Sequence, residues 1–172
     1  MRFMKEKKIV DANVKIDLFS LIFSSCLFTG FIPKASGTFG SLFGCLFFFI
    51  KGFERTGIIL PAIIICFILG IITSKVMIRK YGDDPSVVVI DEVVGMWITM
   101  LIFNLLTSFE NVSLINLIIL FLAFRFFDIV KIQPAKYFDK MENAFGIMMD
   151  DVIAGIYAGF TVYLITLIFR QI

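Results

Sequence analysis

Val87 to Leu106, VVVIDEVVGMWITMLIFNLL, is an apolar run long enough to cross a bilayer, and it carries Asp91 and Glu92 side by side near its start. A carboxylate at the centre of a membrane helix costs roughly 2.5–3.5 kcal/mol on insertion scales, so an adjacent pair needs a cation, a proton or water. Any fold for this chain must therefore bury long apolar segments and also supply something to neutralise these acids. The same juxtaposition occurs twice more. Arg125 and Asp128 close the apolar run of AFRFFDIVK, and Asp150 and Asp151 open the one in GIMMDDVIAG.

Composition decides where the apolar segments go. Only 17% of the 172 residues are charged, well below the soluble average of about 25%. Gly57 to Thr73 has no charge over seventeen positions, which favours lipid over a soluble core. The expected fold is all-α: a polytopic membrane bundle forming one domain over residues 1–172, with a bilayer as its partner. A net charge of +2 gives no footprint for nucleic acid. Cys26, Cys45 and Cys66 lie in apolar runs without CxxC spacing and read as small buried hydrophobes.

The expected spans are Thr38 to Phe53, Gly57 to Thr73, Val87 to Leu106, Val112 to Phe127 and Ile147 to Phe169. The segment before them, NVKIDLFSLIFSSCLFTGFI, begins too polar and is too short in its apolar part for a confident crossing. It is expected as an interfacial or re-entrant helix after the basic head MRFMKEKK. The total is about five transmembrane helices plus that N-terminal element. PKASGTFGS, Pro33 to Ser41, reads as a turn leading into a helix that Thr38 and Ser41 can cap. Its glycine-rich start and Lys34 would make a phosphate cradle. Asp83 and Asp84 read as turn residues in YGDDPS.

Short loops rich in Lys and Arg stay on the cytoplasmic side. Placing residues 75–86 and 131–146 inside, and the Lys/Arg-free link Thr107 to Asn111 outside, brings every acidic motif and the Pro33 to Ser41 loop to the cytoplasmic leaflet. Asp91 and Glu92 are about 100° apart on a helix, so one can face a metal while the other meets a base or water. For any one motif an intramembrane ion pair or a snorkelling charge is an adequate explanation; three on one leaflet call for a shared partner.

The chain has no histidine, which excludes a Ser-His-Asp triad, a phosphohistidine intermediate and a His-ligated zinc site. What remains is carboxylate, hydroxyl, Lys, Arg and backbone amide, an inventory suited to Mg2+.

In order along the chain, Gly37-Thr38-Phe39-Gly40-Ser41-Leu42, the run Asp91 to Thr99, Phe124 to Lys131 and Gly146 to Gly155 resemble the motifs of the phosphatidylglycerophosphatase A family. The resemblance covers about residues 15 to 170. It implies a Mg2+-dependent phosphoric monoester hydrolase of the bacterial inner membrane, with its site facing the cytoplasm, that converts phosphatidylglycerophosphate to phosphatidylglycerol and phosphate. The chain departs from the family pattern at Ser36, at Ile132, and at Asn143 and Ala144. On this reading Glu92, Asp128, Asp150 and Asp151, with Asp91, bind one or two Mg2+ ions. Lys34, Gly37, Thr38, Ser41, Arg125 and Lys131 meet the phosphate, and the nucleophile is water, with the Thr38 hydroxyl as the alternative. A small cation- or proton-coupled transporter is the competing class, because acids on several membrane helices also make ion pathways.

Overall fold

The computed structural model describes residues 10, 11, 13–83, 85–107 and 113–170, the last in its backbone only. The basic head, Asp84, most of the 107–111 link and the Arg170 side chain lie outside that set. Among the described residues all regular structure is helical: α1 (Leu18–Ser24), α2 (Ser36–Leu46), α3 (Thr56–Tyr81), α4 (Ile90–Thr107), α5 (Leu114–Val130), α6 (Ala135–Asp139) and α7 (Ala144–Arg170).

The helix that carries Asp91 and Glu92 is the axis of the molecule. Of the three helices long and apolar enough to cross a membrane, α4 is 78% buried within the protein, against 22% for α3 and 28% for α7. It packs against α2, α3, α5 and α7. The two peripheral long helices therefore present most of their apolar surface outward, as lipid-facing helices do, while α4 sees mainly protein.

Glycines let neighbours approach α4 closely. A methyl group added at Gly40 would lie 2.7 Å from Val89 Cβ, and one at Gly159 2.8 Å from both Thr99 O and Ile102 Cβ. Those contacts rise in step along both chains, so α2 and α7 run parallel to α4. By contrast Arg125 meets Glu92, while Phe124 lies against Gly95, so α5 runs antiparallel. The start of α4, the end of α5 and the starts of α2 and α7 consequently share one end of the bundle.

One expectation about spans needs correction. The span expected over Thr38 to Phe53 does not form as one helix. α2 has 11 residues and passes into a 3-10 turn at Phe47–Phe49, giving an α-helix of about 16 Å against a hydrocarbon core of about 30 Å. Its far end is fixed instead by Trp97, whose Nε1 donates to Gly44 O at 3.0 Å and whose ring packs edge-on against Phe47 and Phe53. α5 has 17 residues, at the lower limit for a crossing. Among the described residues, three helices are long and apolar enough to cross a membrane.

The N-terminal apolar segment is broken, as a re-entrant or interfacial element would be. α1 has seven residues, with Asp17 accepting from Ser20 N at 2.8 Å as its cap. The chain then reverses through Cys26, Leu27 and Phe28, all at positive φ. Ser25 supports this strained turn, its Oγ accepting from Phe28 N at 3.1 Å.

Candidate metal and phosphate site

At the shared end, α4 contributes Glu92, α5 contributes Asp128 and α7 contributes Asp151, and one carboxylate oxygen from each lies within 4.8 Å of the others. All three side chains are buried. Glu92 and Asp128 are joined by Arg125, whose Nη1 is ion-paired to Glu92 Oε2 and lies 3.0 Å from Asp128 Oδ2. The i, i+3 spacing of Arg125 and Asp128 on α5 makes that second contact nearly automatic.

Ser41 ties α2 into the same network. Its Oγ accepts from Arg125 Nη1 at 3.2 Å and lies within donating distance of Gly37 O at 2.8 Å and Glu92 Oε2 at 3.1 Å. Ser41 is thus an internal member of the acidic network and not a helix cap. Thr38 does not cap either: α2 starts at Ser36, after Ala35 in the left-handed region, with no side-chain cap. Its first amides are left open beside Glu92. Gly37 is required at that point, because a methyl group there would collide with Glu92 Oε1 and sit 3.2 Å from Arg125 Nη1. The Thr38 hydroxyl makes no hydrogen bond among the described residues, and Lys34 is exposed at the approach to the helix.

Asp150 and Asp91 are buried at the same end but outside the three-carboxylate group. Asp150 is ion-paired to Lys131, which caps the end of α5 at positive φ. Lys131 also reaches Asp139 Oδ1 on α6 at 2.6 Å. Burial pulls the Lys131 ammonium down, but Asp150, Asp151 and Asp139 more than offset it and hold its pKa above the usual lysine range. Asp139 and α6 escape the sequence reading, since a five-residue helix between turns leaves no periodic signal. Asn143 accepts from Gly146 N at 2.8 Å, so one departure from the family pattern supplies a helix cap for α7.

Among the described residues, Glu92 and Asp128 are ion-paired to Arg125 and Asp150 to Lys131, with Asp151 buried beside Glu92 and Asp128. Carboxylates this close cannot all ionise without further positive charge. Asp128 Oδ1 and Asp151 Oδ2 are buried with no hydrogen-bond partner, which costs free energy unless a ligand satisfies them. Glu92, Asp128 and Asp151 can therefore hold a metal ion, and an all-oxygen donor set suits a hard divalent cation.

A family model described as "PgpA: Phosphatidylglycerophosphatase A" matches residues 22–166. Among similar proteins, the phosphatidylglycerophosphatase A of Haemophilus influenzae is 38% identical over 140 residues, covering 80% of this chain and 82% of its own. A putative phosphatidylinositol-3-phosphatase of Bacteroides thetaiotaomicron is 33% identical over 135 residues, covering 76% of this chain and 82% of its own. The Escherichia coli phosphatidylglycerophosphatase A is 27% identical over 139 residues, covering 80% and 77%. No solved structure matches the chain.

Proposed function

Because this chain belongs to the phosphatidylglycerophosphatase A family, we propose that it is a Mg2+-dependent lipid phosphatase. On this reading it hydrolyses phosphatidylglycerophosphate to phosphatidylglycerol and inorganic phosphate at the cytoplasmic face of a bacterial inner membrane. The observation that carries the reading is the meeting of Glu92, Asp128 and Asp151 at one end of the bundle, their oxygens within 4.8 Å, beside the uncapped start of α2.

Glu92, Asp128 and Asp151 would hold the metal, with Asp91 and Asp150 flanking it. When bound, the ion supplies phosphoryl polarisation and a more acidic water. The chain's own residues do the positioning. The open amides at the start of α2 and the exposed Lys34 bind the phosphate oxygens. Arg125 and Lys131, each held by carboxylates, offset the negative field that the incoming phosphate meets. Ser41 keeps Arg125 and Glu92 in register. In the reaction, the oxygen of water bonds to phosphorus as the ester bond to the glycerol oxygen breaks. One water proton passes to that leaving oxygen and the other remains with the phosphate. Water is preferred over Thr38 as nucleophile because no carboxylate among the described residues hydrogen-bonds the Thr38 hydroxyl to take its proton.

The Bacteroides relative's name raises a second head group, an inositol 3-phosphate lipid, which the same phosphomonoester chemistry would accept. The transporter alternative calls for acids near mid-depth and an inverted repeat; acids gathered at one bundle end do not favour it. Purified protein should release phosphate from phosphatidylglycerophosphate with Mg2+ and lose that activity in EDTA. Comparison with phosphatidylinositol 3-phosphate ranks the head groups. Release that survives both EDTA and Glu92→Gln would overturn the metal mechanism.

A further inference from the structure

An apolar cavity of about 450 Å³ lies between α2 and α5, lined among others by Phe39, Leu42 and Phe49 on one side and Leu114, Ile118 and Phe121 on the other. Its volume is within the range of about 300–1,000 Å³ typical of small-ligand sites. Its polar lining is limited to Thr29, whose hydroxyl is engaged by Ser25 O and Cys26 O at 3.0 Å each, and the Cys45 thiol. One end of the cavity lies at the same depth along the bundle as the acidic site. Phe39 lies between Gly37 and Ser41 on α2, and Phe121 is one helical turn before Arg125 on α5.

From Phe39 to Phe49 the groove follows α2 and its 3-10 extension for about 15 Å at helical rise. That length is half of a hydrocarbon core of about 30 Å, the reach of a fatty chain in one leaflet. It starts at the phosphate end and runs toward the middle of the bilayer, the course taken by a chain attached to a head group at the site.

We propose that this groove holds one acyl chain of the lipid whose phosphate is hydrolysed, and that it makes the enzyme sensitive to chain length. The proposal rests on the lipid phosphatase reading above. Lipid tails are as apolar as the groove, so transfer into it adds little affinity. Its effect is to fix the angle and depth at which the phosphate meets Glu92, Asp128 and Asp151.

The experiment compares Ile118→Trp and Leu42→Trp, which fill the groove, with Ile119→Trp, a lipid-facing control on the same helix. Each is assayed with dioleoyl and dihexanoyl phosphatidylglycerophosphate in mixed micelles. The groove variants should lose about tenfold or more in kcat/KM on the long-chain lipid, as misplacement of a reacting group does. They should keep their activity on the short-chain lipid, which also reports that they fold; the control should change neither. Equal losses on both lipids, or the same loss in the control, would overturn the groove. In a second measurement, phosphatidylglycerol carrying a diazirine midway along one chain should label Ile118 and Phe121 over Ile119 and Leu122 in the wild-type protein. Uniform labelling overturns the proposal. A wild-type protein that releases no phosphate at either chain length defeats the phosphatase reading instead, and the labelling pattern still decides the groove.

Discussion

Arg125 is the residue on which the polar centre depends, because one Nη1 serves Glu92, Asp128 at 3.0 Å and Ser41 at 3.2 Å. Removing one partner of a buried ion pair leaves uncompensated charge and typically costs about 3–5 kcal/mol. Arg125→Ala should therefore lower the unfolding midpoint in detergent as well as activity. Arg125→Lys should recover stability only in part, since a point charge cannot reproduce the planar fork. In Gly37→Ala the methyl group would meet Glu92 Oε1 and Arg125 Nη1, so kcat/KM should fall by about tenfold or more, and the unfolding midpoint should fall with it because the buried ion pair must shift. At this scale the sequence is highly informative: intramembrane acids and an arginine are costly enough to stand out singly. It does not reveal who pairs with whom, and so Asp150 joins Lys131 while Ser41 joins Glu92 in place of capping α2.

The crossing of α4 and α7 is built on absent side chains. A methyl group at Gly155 would collide with Gly95 O, and one at Gly95 would lie 2.8 Å from Asp151 O and 2.6 Å from Phe124. Helices in lipid gain little from apolar burial against each other, so close backbone packing at small residues holds them. Gly155→Val should cost about 1–3 kcal/mol, the usual range for overpacking. Because α7 also carries Asp151, it should depress activity too; thermal unfolding and phosphate release in the same preparation check both. The signal for this contact is present in the sequence as Gly155-x-x-x-Gly159, spaced i, i+4 on one face, but motif reading uses Gly155 only as a letter after the paired acids. Element ends are less legible than elements. Hydropathy continues unbroken from α2 through Phe47–Phe49, and the α-helix gives way to a 3-10 turn where Trp97 Nε1 donates to Gly44 O.

At the scale of the whole molecule, parallel α2, α4 and α7 and antiparallel α5 bring all the acidic motifs to one end, so sidedness is a property of the entire chain. Lys34 is exposed there, whereas Cys26 and Cys45 are buried and burial pushes the Cys26 thiol up. In the otherwise unaltered protein, Lys34→Cys should react with a membrane-impermeant maleimide in inverted vesicles and not in intact spheroplasts; the reverse pattern would place the site on the outer face. The same assembly would make a bound metal a folding ligand. Glu92, Asp128 and Asp151 repel one another when ionised, and the unfolded chain cannot gather them to within 4.8 Å. A ligand that binds only the folded state stabilises it by about 2.7 kcal/mol at a hundred times its Kd. Mg2+ should therefore raise the unfolding midpoint in a concentration-dependent way and EDTA should reverse the shift. Asp151→Asn should remove the Mg2+ response while being no less stable than the wild type without metal, because it relieves repulsion among the acids. A midpoint indifferent to Mg2+ in the wild type would mean that protons, not a divalent ion, neutralise the cluster.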